Sequence, residues 1–341
     1  YSFNNLKIFN NKLDYRIIGM GGSTLGAQAI YNFFKKKINK NFCFIDNLKI
    51  NQKKSSNKLY NNLIISKSGN TIETIVNTNI LLNKKDRNLF ITENKRNYLK
   101  QFANKLKSEV VDHNNYIGGR YSVLSEVGML PAELMGLKSS NFRQLNNLVK
   151  NKNYMNALIQ NVSATIYYFK KKKFNSVIIN YDESSTSLFY WYQQLVAESL
   201  GKKGKGISPT LSHMPKDNHS MLQLYLDGPM NKFYTFLSTN GKDVTSKFYK
   251  NVIVKNIKFL KNKNLKSVLN AQREATMNVF KSKNIPFRHF VFNKKNEEEL
   301  VEILTFFVLE TILLSRLLKL NAFDQPAVEQ VKIKTQELLS N

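Results

Sequence analysis

The sequence predicts an α/β protein with two mainly parallel β-sheets, each flanked by helices. Three observations predict it. Short apolar, β-branched runs alternate with longer helical patterns from one end of the chain to the other. The alternation falls into two series separated by a polar stretch, Gly136 to Asn151. A 341-residue chain that is 42% apolar exceeds a single hydrophobic core and supplies material for two, so two domains are expected, 1–140 and 141–341.

In the first series the expected strands are Tyr15 to Met20, Asn41 to Asp46, Leu63 to Lys67, Leu89 to Thr92 and Glu109 to Asp112, with helices between them. Asn153 to Lys173 predicts a long helix with Tyr167, Tyr168 and Phe169 near its end. The second series has expected strands at Ser176 to Asn180, Phe233 to Ser238, Asn251 to Val254 and Arg288 to Phe292. Its helices are expected around Ser187 to Leu200, Leu269 to Lys281 and Glu297 to Leu320. The two halves thus repeat one plan without obvious sequence identity.

Composition excludes several classes. Cys43 is the only cysteine, so no intrachain disulfide can form; its apolar run Asn-Phe-Cys-Phe-Ile-Asp predicts a buried thiol, and a reducing cytoplasm fits. No signal-peptide pattern is present. The longest apolar stretch, Leu300 to Leu320, carries Glu302, Glu310 and Arg316, which predicts a buried helix and no membrane span. The net charge of +28, from 52 Lys+Arg against 24 Asp+Glu, would attract phosphates, nucleic acid or anionic membrane. The lysines are scattered among asparagines along the whole chain, without the clustering and interleaved aromatics of a nucleic-acid footprint, so no specific nucleic-acid partner is expected.

The first expected strand runs into Gly19-Met20-Gly21-Gly22-Ser23-Thr24-Leu25-Gly26, a glycine turn before a helix that presents backbone N–H groups to an anion. A dinucleotide fingerprint is the rival, with Asp46 as ribose acid, but Thr24 stands where its third glycine belongs. A second turn, Ser66-Lys67-Ser68-Gly69-Asn70-Thr71-Ile72-Glu73, sets hydroxyls and one ammonium around a helix start. Asn70 and Glu73 also have capping-box spacing. Neither turn is a Walker A motif, and the basic Gly201 to Gly206 lacks its Gly-Lys-Ser/Thr end, which disfavours nucleotide hydrolysis.

Gly118-Gly119-Arg120-Tyr121-Ser122 holds an arginine on a glycine-rich approach, suited to a developing oxyanion or to a surface ion pair. Gln194 and Glu198 are four apart and share a helix face; Lys202, one turn on, is the bland partner for Glu198. His113, His213 and His289 are expected to be structural, whereas His219 lies at an expected helix start. A metal site from His213, Asp217 and His219 matches no established ligand spacing and is disfavoured.

Taken together and in order, these motifs resemble the phosphoglucose isomerase family. Gly21-Gly22-Ser23 is similar to its Gly-Gly-Ser turn, and Ser66 to Thr74 to its Ser-Lys-Thr-x-x-Thr-x-Glu-Thr loop, with Ser68 in place of threonine. Gly118 to Ser122 matches Gly-Gly-Arg-Tyr/Phe-Ser, and Glu198 to Lys202 resembles Glu-Ser-Asn-Gly-Lys with Leu200 for asparagine. Asn218-His219-Ser220 stands for Gln-His-Ser, and Phe323 to Lys332 keeps Phe-Asp-Gln-x-x-Val-Glu-x-x-Lys.

The resemblance covers nearly the whole chain and implies two sugar-isomerase-type domains and interconversion of glucose 6-phosphate and fructose 6-phosphate. It implies that Ser23, Ser66, Lys67, Ser68 and Thr71 bind the substrate phosphate, with the Gly22 backbone alongside. It further implies Glu198 as the base, Arg120 as charge stabiliser, Gln194 and Gln325 as positioning groups, and His219 with Lys332 for ring opening. It implies no metal or organic cofactor, a sugar-phosphate substrate, and a homodimer in which His219 comes from the neighbouring subunit. A non-catalytic sugar-phosphate sensor would need neither Glu198 nor Lys332. The isomerase half of glucosamine-6-phosphate synthase normally follows a glutaminase half with a catalytic cysteine.

Overall fold

The computed structural model describes residues 6–9, 11–52, 58–83, 85–240 and 255–340. The first series forms β1 (Asp14–Gly19), β2 (Phe42–Ile45), β3 (Tyr60–Ile65), β4 (Arg87–Thr92) and β5 (Glu109–Asp112), all parallel, in the order β2-β1-β3-β4-β5. The second forms β6 (Asn175–Asn180), β7 (Ser208–His213), β8 (Lys232–Thr239) and β9 (Phe287–Phe292), also parallel, in the order β7-β6-β8-β9. The same plan is used twice: the first strand of each series lies inside its sheet, the second outside it, the third and fourth on the other flank.

The expected strands match except in the second series. β7 is not among them, because Ser-Pro-Thr-Leu-Ser-His has no apolar run; it is an edge strand, where a proline is tolerated. The strand expected at 251–254 lies outside the described residues. Cys43 is exposed on β2, an edge strand, which corrects the expected buried thiol: its neighbours Phe42 and Phe44 take the inward positions.

The connecting helices include α1 (Gly22–Phe33), α2 (Ile72–Leu81), α3 (Tyr98–Lys105), α4 (Glu126–Leu134), α5 (Leu145–Lys150), α6 (Lys152–Lys170), α7 (Thr186–Leu200) and α8 (Leu222–Asp227). They are followed by α9 (Leu265–Ser282), α10 (Glu297–Leu317) and α11 (Pro326–Ser340). No helix among the described residues is long and apolar enough to cross a membrane. α10 is instead buried along one side, and its Glu310 carboxylate accepts from Arg288 of β9.

α1 and α7 pack against each other antiparallel. Asn32, near the end of α1, donates to Ser187 at the start of α7 (2.6 Å), whereas Gly21, just before α1, lies against Gln194 near the end of α7. Through this pair the largest apolar cluster runs continuously from Ile17 and Ile30 to Trp191, Leu195 and Phe307, so the main core is shared by the two sheets. Smaller clusters cover the outer faces, around Phe90 and Leu99 on one side and Phe236 and Phe280 on the other.

Candidate active site

A cleft of about 550 Å³ opens where the carboxyl ends of β1 and β3 meet the end of α7 and the start of α11. That volume suits a small phosphorylated ligand. Every site residue expected from the sequence lines it except His219: Gly22, Ser23, Ser66, Lys67, Ser68, Thr71, Arg120, Gln194, Glu198, Gln325 and Lys332.

Two glycines let the walls close. Gly21 has φ +53°, and a Cβ there would lie 2.6 Å from Gln194 Nε2. At Gly22 a Cβ would lie 2.1 Å from the Gly119 carbonyl oxygen, so only glycine lets the turn before α1 touch the turn carrying Arg120.

The loop after β3 lines the cleft with hydroxyls and one ammonium group. Ser66 Oγ is 3.0 Å from Thr71 Oγ1, and Lys67 Nζ donates to the Asn115 carbonyl at 2.8 Å. The Asn70/Glu73 capping box does not form. Thr71 is the N-cap of α2 and makes no side-chain cap bond, while Asn70 Oδ1 accepts from the N–H of Tyr98 at 3.0 Å, joining this loop to the start of α3. The Thr71 hydroxyl thereby faces the cleft beside Ser66.

Arg120, 3% exposed, is the hub of the opposite wall. Its Nε donates to Ser199 Oγ (3.0 Å), Nη1 to Glu198 Oε2 (2.7 Å) and Gln325 Oε1 (2.8 Å), and Nη2 to the carbonyls of Ala322 (2.8 Å) and Asp324 (2.9 Å). All five guanidinium N–H groups are thus used, joining the glycine turn, α7 and the segment before α11. The Arg120 backbone is held in turn by Trp191 Nε1, which donates to its carbonyl at 3.1 Å.

Glu198 accepts from Arg120 on one oxygen and from Gln194 Nε2 on the other (2.8 Å), with its side chain 31% exposed to the cleft. The bland pairing with Lys202 is not made, since Lys202 Nζ lies 2.9 Å from Asp324. Gln194 Oε1 is buried without a protein partner. Lys332 enters from α11 and pairs with Glu329 at 2.5 Å.

The phosphoglucose isomerase profile matches residues 9–340. The chain belongs to the phosphoglucose isomerase family. It is 32% identical to the glucose-6-phosphate isomerase of Methanocaldococcus jannaschii, over 96% of this chain and 84% of that one. It is 30% identical to that of Campylobacter jejuni, over 95% and 85%. Among solved structures, a hypothetical protein of Thermus thermophilus superposes with a TM-score of 0.85 at 24% identity, covering 96% of this chain and 84% of that one. A glucose-6-phosphate isomerase from Chlamydia trachomatis superposes with a TM-score of 0.76 at 16% identity, over 96% and 70%. Phosphoglucose isomerases are aldose–ketose isomerases acting on sugar phosphates, and the cleft joins a loop rich in hydroxyls with one lysine to a carboxylate held by an arginine and an amide.

His219 stands apart from this cleft. It is exposed, in a short turn (Lys216–His219) folded back over the carboxyl end of β7, where Asp217 Oδ2 accepts from the His213 N–H at 2.7 Å. That end of β7 is level with the start of α7, whereas Glu198 is near its finish. Twelve residues of helix separate the two levels by roughly 18 Å.

Sequence reasoning missed Glu93, Lys95 and Phe323 in the lining. Glu93 and Lys95 directly follow β4, and residues just beyond the carboxyl ends of parallel strands are where α/β folds bind ligands; that rule would have found them.

Proposed function

We propose that this chain interconverts glucose 6-phosphate and fructose 6-phosphate by ring opening and proton transfer through a cis-enediolate. The observation supporting it is the Glu198 carboxylate, held between Arg120 and Gln194 and facing the Ser66–Thr71 loop across one cleft.

In this reading Ser23, Ser66, Lys67, Ser68 and Thr71 receive the phosphate, with the Gly22 backbone beside them. Glu198 removes the proton from C2 and returns it at C1. When the carboxylate takes that proton, its charge-assisted bond to Arg120 weakens, and the guanidinium is left to balance the charge moving onto the enediolate oxygens. Arg120 therefore needs no large movement: its Nη1 already points between Glu198 and Gln325. Gln194 positions the base, its Nε2 donating to the second Glu198 oxygen. Because the proton returns to the adjacent carbon, the net reaction is redox-neutral within the substrate.

His219 and Lys332 serve ring opening. Lys332 is at the cleft, but His219 is at the far edge of the second sheet, so the reading requires His219 of the partner subunit in a homodimer. The change of sheet after β5 supports a division into domains 1–140 and 141–341, and the lone cysteine a cytoplasmic setting.

The test is direct. Purified protein given fructose 6-phosphate and a glucose-6-phosphate-specific dehydrogenase should reduce nicotinamide cofactor continuously. No turnover under conditions where the protein is folded would end this reading.

A further inference from the structure

The turn after β4 carries two charged residues that the mechanism above leaves unused. Glu93 is 6% exposed, and its carboxylate sits between two ammonium groups: Lys67 Nζ lies 3.6 Å from Oε1, and Lys95 Nζ contacts Oε2. All three side chains line the cleft.

The backbone makes this arrangement rigid. The Glu93 N–H donates to the Lys67 carbonyl at 3.1 Å, and Thr92 Oγ1 donates to the same carbonyl at 3.2 Å. The Asn97 side-chain amide ties down the carbonyls of Glu93 (3.3 Å) and Lys95 (3.1 Å). Asn97 in turn fills the space beside Gly69, where a Cβ would lie 2.0 Å from its Oδ1. The loop after β3 and the turn after β4 are thus one unit, which fixes the backbones of Lys67 and Lys95 relative to each other.

One buried carboxylate against two ammonium groups leaves an excess positive charge in the cleft that the hydroxyl-bearing residues Ser66 and Thr71 also line. Without Glu93 the two lysines would repel each other, and the more exposed one, Lys95 with 63% of its side chain accessible, would turn to solvent. We infer that Lys95 is a second phosphate-binding lysine of this cleft, and that Glu93 is the positioning residue that holds it beside Lys67. The inference rests on the sugar-phosphate reading of the cleft.

A unit charge about 6 Å from a phosphate dianion in water strengthens binding about tenfold, falling to about threefold under physiological salt. The experiment is calorimetric affinity for inorganic phosphate together with KM for fructose 6-phosphate, on wild type, Lys95→Ala, Lys95→Arg and Glu93→Gln. Lys95→Ala should weaken phosphate binding and raise KM by about three- to tenfold, more at low salt than at high, and Lys95→Arg should restore both. In a Glu93→Gln background the same Lys95→Ala change should have less than about a twofold effect, because an untethered lysine contributes little; a purely structural turn would show no such dependence. An active wild type whose phosphate affinity is untouched by Lys95→Ala, or lost equally in Lys95→Arg, overturns the inference alone. A wild type that binds phosphate through Lys95 but does not isomerise overturns the functional reading and leaves the lysine assignment standing.

Discussion

Replacing Glu198 by glutamine removes the one carboxylate that Arg120 and Gln194 jointly present to the cleft. An amide of the same shape leaves no cavity, but it changes the hydrogen bonding. Glu198 accepts from donors on both oxygens, and a glutamine has one acceptor and one NH2 group, so one side would set donor against donor. Gln194 can relieve this by turning its amide over: its Oε1, buried and unpartnered, would then accept from the new NH2. What is lost is the charge on the Arg120 bond, the difference between a charge-assisted and a neutral hydrogen bond, about 1 kcal/mol. The variant should therefore fold, with a melting temperature only a few degrees lower. Its turnover should fall by the contribution of a general base, about 100- to 10,000-fold, with phosphate binding retained. The assay is exchange of the C2 hydrogen of glucose 6-phosphate with solvent deuterium, followed by NMR alongside isomerisation. Wild type should show slow exchange accompanying turnover, and the variant should lose both together. Isomerisation within a few-fold of wild type would refute Glu198 as the base.

The Ser66→Ala, Thr71→Ala double variant removes a hydroxyl pair 3.0 Å apart and should weaken inhibition by simple sugar-phosphate analogues at least about tenfold; unchanged inhibition constants would move the phosphate elsewhere. His219→Ala should harm ring-form substrate more than open-chain substrate. If its histidine serves the partner's cleft, mixing it with Glu198→Gln and letting subunits exchange should restore about a quarter of wild-type sites, whereas no complementation would put His219 in its own chain's cleft or outside the reaction. Gly22→Ala would drive a methyl to 2.1 Å from the Gly119 carbonyl oxygen, so it should cost about 2 kcal/mol or more and part Ser23 from the Arg120 turn; a thermal melt matching wild type would show that the two turns are not in contact.

What the sequence determined was local. The strand, glycine turn and helix start at Gly21-Gly22-Ser23, the hydroxyl-rich loop Ser66 to Thr71, and the one-face pair Gln194 and Glu198 are legible because each is fixed by bonds within a turn or two of chain. The family resemblance brought the motif residues other than His219 to one cleft on paper, since recurring motifs carry the result of folding even when their spacing does not. Where that help was missing, local reading failed at edges and between loops. β7 has little apolar character because an edge strand buries little, and Cys43 lies outward for the same reason. Asn70 fits a capping box, yet its oxygen goes to Tyr98, 28 residues away. Tertiary structure alone decided which atoms bond: that Arg120 Nη1 donates to both Glu198 and Gln325, which lie 78 and 205 residues further along, and that Lys202 turns to Asp324. It also decided that the antiparallel packing of α1 on α7 brings Glu198 to the glycine turn and leaves His219 at the opposite edge. No local pattern records these contacts, because they come from packing segments far apart in sequence against one another, and burial is blind to distance along the chain.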